Sequence, residues 1–162
     1  MPPRLLPIAQ VAQVALTAVA ALMLAATTAH AEPDRYRPAR PADAALYQAL
    51  GERAGIDAVV AGMLRHSVAN PRIADKFKGI KLKSLQDQIT DQLCELTGGP
   101  CHYEGNSMKD AHEELALTMA HFNALVEDLQ QALDEQGVPF RIQNQLLAIL
   151  APMYRDVLNP PR

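Results

Sequence analysis

Among the five histidines of this 162-residue chain, His112 stands in the surroundings most suited to chemistry. Asn106 or Ser107 can cap a helix in which Met108, Ala111, His112 and Leu115 share one face, so an imidazole lies among apolar neighbours. Such a group is either a satisfied core histidine or a ligand for a transition metal. His112-Glu113-Glu114 and His121 resemble a zinc motif only in composition, because the two histidines are nine apart rather than four and cannot share a helix face. Cys94 and Cys101 are the only cysteines. A bridge across the intervening turn is sterically conceivable and two free thiols are equally compatible, while the Cys-x-x-Cys pattern of a redox dithiol is absent. The carboxylate pairs Asp87/Asp91 and Glu113/Glu114 fall on faces that read as solvated, and no nucleophile elbow or phosphate-binding glycine loop is present.

The elements that must position His112 read as one globular domain, since 49% of residues are hydrophobic and 20% charged. A net charge of −3 and the lack of a basic cluster exclude a nucleic-acid binder. Residues 1–31 carry Arg4, an apolar run from Val14 to Ala26, and Ala29-His30-Ala31, the three regions of a secretory signal peptide. The apolar run spans 13 residues, short of the roughly 20 that cross a bilayer, so cleavage before Glu32 is expected, leaving no stable membrane span. Export to the periplasm or beyond follows. Residues 32–42, with three prolines among charges, read as a linker, and 43–162 as the folded domain.

From Asp43 on, the pattern is helical almost throughout, which predicts an all-α fold. Helices are expected at about 44–50, 55–69 and 83–96, with a short helical turn at 72–77. In the third, Leu85, Ile89, Leu93 and Leu96 form one apolar stripe that stops at Gly98-Gly99-Pro100. After the helix of His112, another at about 119–136 is expected to bury Phe122, Leu125, Val126, Leu129 and Leu133, with Gly137 as its left-handed cap. The last begins after Pro139 and is expected to kink at Pro152. Loops of unequal length favour globin-like crossings over an up-and-down bundle.

Several segments, taken in order, resemble the first group of truncated haemoglobins: Leu46-Tyr-Gln-Ala-Leu-Gly51, Phe77-Lys-Gly79, Leu96-Thr-Gly-Gly-Pro100, Tyr103-Glu-Gly105, Met108-Lys-Asp-Ala-His112 and His121-Phe122, with Gly137-Val-Pro139 after them. The resemblance spans nearly all of Ala45 to Leu158. It implies a truncated-globin helical sandwich around haem b, with His112 as the proximal iron ligand. Covalent c-type attachment is not expected, since Cys-x-x-Cys-His is absent. Phe77 matches the phenylalanine that packs on the haem plane, Phe122 a second pocket aromatic, and Met108 belongs to the motif that carries the ligand. His121 falls at the family's His-Phe pair and reads as a helix-start residue.

Haem with one protein ligand leaves an iron position open to a diatomic gas such as oxygen, carbon monoxide or nitric oxide. An unidentified reductase is the expected partner. This chain departs from the family on the distal side, where Leu64 stands in place of a common tyrosine and Leu85 and Ile89 in place of polar residues. Met63 is placed to approach the same pocket, while Gln86 and Gln88 flank the stripe and read as solvated. Without a donor, tight oxygen storage and nitric-oxide dioxygenation are not expected. Two other classes fit the residues: a haem-free helical interaction module, and a haem-dependent enzyme that removes nitric oxide or peroxide.

Overall fold

The computed structural model describes residues 44–158, and the expected signal peptide and linker lie outside the described residues. Among the described residues the chain forms seven α-helices and two 3-10 turns and no strand. The helices are α1 (Ala44–Ala49), α2 (Glu52–Ala69), α3 (Leu82–Leu96), α4 (Met108–His112), α5 (Met119–Glu135), α6 (Phe140–Leu150) and α7 (Tyr154–Val157). The all-α expectation therefore holds.

Sequence reading places the start of α2 three residues late. Gly51 adopts φ +84, a left-handed geometry that turns the chain sharply enough for helix to begin at Glu52, and Gly55 is carried inside the helix. Gly55 is needed there, because an added Cβ would lie 2.1 Å from the Leu50 carbonyl oxygen. Gly137, at φ +66, closes α5 as expected. Val138 N donates to Leu133 O and Gly137 N to Asp134 O, the paired bonds of a Schellman stop. At Pro152, α6 gives way to the 3-10 turn Ala151–Met153 before α7 resumes, so the expected interruption is present.

Helix α4 is shorter than the sequence suggests. It ends at His112, and Ala116 takes φ +47, which a Cβ-bearing residue tolerates poorly inside a helix. The four-residue face is accordingly reduced: Met108 and His112 are half-buried, Ala111 is exposed, and Leu115 lies beyond the helix end. In α5, Leu129 and Leu133 are buried as expected, whereas Phe122, Leu125 and Val126 are half-buried.

The core is built around α2, which packs along both α3 and α5. Ile56, Val59, Val60, Met63 and Leu64 from α2 meet Leu93 and Cys94 from α3, Leu129 and Leu133 from α5, and Ile142 and Leu146 from α6. Gly62 sets the closeness of α2 to α5, since its missing Cβ would stand 3.1 Å from the Ala132 methyl. One buried polar contact joins the same pair. Asp128 accepts hydrogen bonds from Ser67 Oγ at 2.9 Å and Asn70 Nδ2 at 3.0 Å, which satisfies all three groups out of water.

Candidate functional site

One wall of the site comes from three elements. Met63 and Leu64 of α2 are buried, 5% and 4% exposed, in the same cluster against which Phe77, Leu85 and Ile89 pack while keeping part of their surface open. Phe77 ends the 3-10 turn Ala74–Phe77, and Leu85 and Ile89 sit one turn apart on α3. Met108, His112 and Phe122 are half-buried and outside that cluster.

Two hydrogen bonds tie the 108–115 segment to this wall. Gln92 Nε2 donates to Met108 Sδ at 3.4 Å, and Gln92 lies three residues after Ile89, on the same stripe of α3. At the other end, Lys76 Nζ, beside Phe77, donates to the Leu115 carbonyl at 3.2 Å. The segment bearing His112 is thus fastened to α3 before the histidine and to the 3-10 turn after it. Neither Gln92 nor Lys76 was singled out from the sequence. Gln92 was findable as the polar residue continuing the Leu85–Ile89 stripe, whereas Lys76 carries no local signal.

Ser107 caps α4, accepting from Asp110 N at 3.1 Å, and so fixes the turn on which His112 stands. The His112 Nδ1–H donates to the Met108 carbonyl oxygen at 2.6 Å. That bond selects the tautomer in which Nε2 carries the free lone pair, and it orients the ring, which is the usual arrangement of an imidazole that ligates a metal. The residues present fit a flat apolar group with one ligand position: an oriented imidazole with a free nitrogen, and five side chains, Phe77, Leu85, Ile89, Met108 and Phe122, with apolar surface left uncovered.

The two glutamines beside the stripe are directed elsewhere. Gln86 Nε2 donates to Asp57 Oδ1 at 2.8 Å, which corrects its reading as a solvated residue. Gln88 is exposed, as expected, and lines a cavity of about 210 Å³ with Asp91, His102, Tyr103, Glu104 and Gly105. A second cavity, about 510 Å³, lies at Ala148, Ala151, Pro152, Tyr154 and Arg155; neither includes His112. Asp87 pairs with Lys83 and Asp91 with Arg53, so these carboxylates serve ion pairs. Among the described residues no cluster of three or more His, Cys, Asp or Glu side chains is placed to hold a metal ion. His121 belongs to a capping box: its backbone N donates to Thr118 Oγ1 at 3.3 Å and its Nδ1 accepts from Thr118 N at 3.2 Å. The helix-start reading of His121 agrees with that. Cys94 and Cys101, left open by their spacing, are joined in a disulfide with Cα atoms 5.7 Å apart.

The bacterial-like globin family model matches residues 45–159. A group 1 truncated hemoglobin of Tetrahymena pyriformis is 32% identical over 114 residues, covering 70% of this chain and 94% of that protein. Another from a Synechocystis is 32% identical over 120 residues, 70% and 97% of the two chains. The crystal structure of the Tetrahymena pyriformis protein in its Fe(III) form superposes with a TM-score of 0.67 over 70% of this chain and 97% of that one. A Synechococcus 2/2 hemoglobin, solved in the cyanomet state with covalently attached heme, gives the same score at 28% identity, with 70% of this chain and 98% of that one covered. Globins of this kind bind haem and gas ligands, and on sequence and fold together the chain belongs to the bacterial-like globin family, among its truncated haemoglobins.

Proposed function

We propose that the chain is an exported truncated globin that binds haem b through His112 and takes up diatomic gases reversibly on a distal side without hydrogen-bond donors. The observation that carries the reading is the His112 imidazole, turned by its Nδ1–H bond to the Met108 carbonyl so that Nε2 is left for iron. When bound, haem supplies an iron position at which a gas coordinates. Phe77, Phe122 and Met108 would lie against the porphyrin, covering apolar surface that they now leave open. Leu64, Leu85, Ile89 and Met63 would wall the open side and exclude water from it.

These side chains hold no donor, and Gln86, beside Leu85 on α3, is engaged by Asp57. Oxygen is the more polar ligand and gains about 1.5–3 kcal/mol from a well-placed donor. Carbon monoxide depends on one much less. The pocket therefore favours carbon monoxide retention and fast oxygen release, which argues against oxygen storage and against nitric-oxide dioxygenation. Residues 1–31 support export, with the mature chain starting at Glu32. Reconstitution with haem followed by stopped-flow mixing tests the function: the ferrous protein is expected to hold carbon monoxide and to release oxygen quickly. Slow oxygen release would overturn the apolar pocket, and absence of a haem absorption band would overturn the globin function itself.

A further inference from the structure

The connector between α3 and α4, residues 97–107, holds no helix or strand, yet it must deliver His112 to a defined place. We infer that the Cys94–Cys101 disulfide is a positioning element for the haem ligand: it anchors this connector to α3 so that α4 presents His112 against the wall of Leu85 and Ile89. The inference rests on the haem reading above.

The path from the disulfide to the histidine is continuous. Cys94 is fully buried in the last turn of α3, in the core cluster that also holds Leu93 and Leu64. The turn returning from α3 passes so close that a Cβ on Gly99 would stand 2.6 Å from Cys94 Sγ and 2.6 Å from the Tyr47 ring. Beyond Cys101, Tyr103 N donates to the Glu95 carboxylate at 2.8 Å, and His102 faces the same carboxylate at 3.4 Å. Tyr103 Oη then donates to the Asn106 carbonyl at 2.9 Å. Its ring folds over Gly105, where an added Cβ would lie 2.3 Å from the phenol oxygen. Ser107 follows as the cap of α4. At the far end Met108 returns to Gln92, two residues before Cys94, so the loop starts and finishes on the last two turns of α3.

Apart from the disulfide, these ties are single hydrogen bonds or half-exposed charge pairs, each weak in water. The covalent link fixes their register by withholding freedom from the connector before haem arrives. Once the link is cut, haem binding must also order the connector, and retention falls. A dithiol reductant accomplishes the cut. Its thiolate attacks Cys101 Sγ, half-buried where Cys94 is fully buried, and Cys94 leaves as a thiolate that takes up a proton. The second thiol of the reductant then displaces Cys101 as a thiol, so two electrons and two protons pass to the protein.

Haem-loaded full-length protein and its Cys101→Ser variant, which leaves the buried Cys94 side chain in place, are compared by haem transfer to excess apomyoglobin. Resonance Raman spectroscopy of the ferrous forms reads the iron–histidine stretch. The variant is expected to lose haem at least about tenfold faster, a difference of about 1.4 kcal/mol, with a shifted or broadened stretch. Parent protein reduced with dithiothreitol, freed of reductant under nitrogen, is expected to behave like the variant, and reoxidation to restore it. Unchanged loss rate and unchanged stretch in either reduced form overturn the inference. If Cys101→Ser lacks helical circular dichroism, the reduced parent decides. A parent with no Soret band removes the haem reading and this inference with it.

Discussion

His112 and His121 are nine residues apart, and their imidazoles are committed in opposite ways. At His112 the backbone bond is made by Nδ1–H and leaves Nε2 free; at His121 the ring accepts the Thr118 N–H and is used in starting α5. His112→Ala is accordingly expected to weaken haem retention by at least about 100-fold, measured by haem transfer, since no other assigned side chain replaces the ligand. His121→Ala is expected to keep haem and to lose about 1 kcal/mol of stability through the cap. The reverse pattern would move the ligand to α5. On the open side, Leu64→Tyr is expected to slow oxygen dissociation by roughly tenfold or more, corresponding to about 1.5–3 kcal/mol of donor stabilisation. Leu64 is only 4% exposed, so the larger ring should also cost about 1–3 kcal/mol in urea unfolding through overpacking. An oxygen off-rate unchanged by the phenol would mean that position 64 does not face the gas.

Among the elements, the connector between α3 and α4 shows how an irregular segment is made definite. Within it, Tyr103 has its pKa raised above the ordinary 10.0 by burial, because the half-buried ring disfavours the phenolate. The neutral form is therefore the one the fold prefers. The stability this contributes is complete below the ordinary tyrosine value and is lost as pH rises through the elevated folded value. Phenolate absorbance is expected to show Tyr103 titrating late, and its titration should release the Asn106 carbonyl and raise the haem loss rate. Tyr103→Phe should remove this alkaline step; an unaltered profile would place the cause elsewhere. By contrast α5 needs no such device, since Thr118 starts it and Gly137 stops it through backbone geometry.

At the scale of the folded domain, α2 is the element on which the wall of Phe77, Leu85 and Ile89 leans, and its pairing with α5 depends on Gly62 beside Ala132 and on Asp128. Asp128→Ala would leave the Ser67 hydroxyl, fully buried, without its acceptor and Asn70 Nδ2 without its partner. A loss of about 3 kcal/mol in urea unfolding at unchanged slope is expected. Loss under 1 kcal/mol would show that water replaces the carboxylate. The proposed export belongs to the same scale, because an oxidising compartment is where a disulfide such as Cys94–Cys101 persists. N-terminal sequencing of the protein recovered outside the cytoplasm is expected to begin at or near Glu32, whereas a membrane-bound product starting at Met1 would indicate an uncleaved anchor.

Periodicity and punctuation alone determined the all-α class, the Leu85–Ile89 stripe, the stop at Gly137 and the interruption at Pro152, because those signals act within a few residues of themselves. Resemblance to truncated haemoglobins, carried by short motifs in order, extended that reading to His112 and Phe77. Tertiary structure decided the rest. Gly51 could take a left-handed geometry or not; in the fold it takes φ +84, and α2 starts at Glu52. The face read for α4 was cut short because the helix ends at His112, and Ala116 beyond it takes φ +47, a strain that its surroundings must hold. Gln86 was free to point to solvent or pocket until Asp57, twenty-nine residues earlier, claimed it. The pairing of Cys94 with Cys101 and the ties from Gln92 and Lys76 to the segment of His112 likewise depend on where separate elements cross. The Gln86–Asp57 and Lys76–Leu115 contacts join residues remote in sequence, and no pattern local to either partner encodes them.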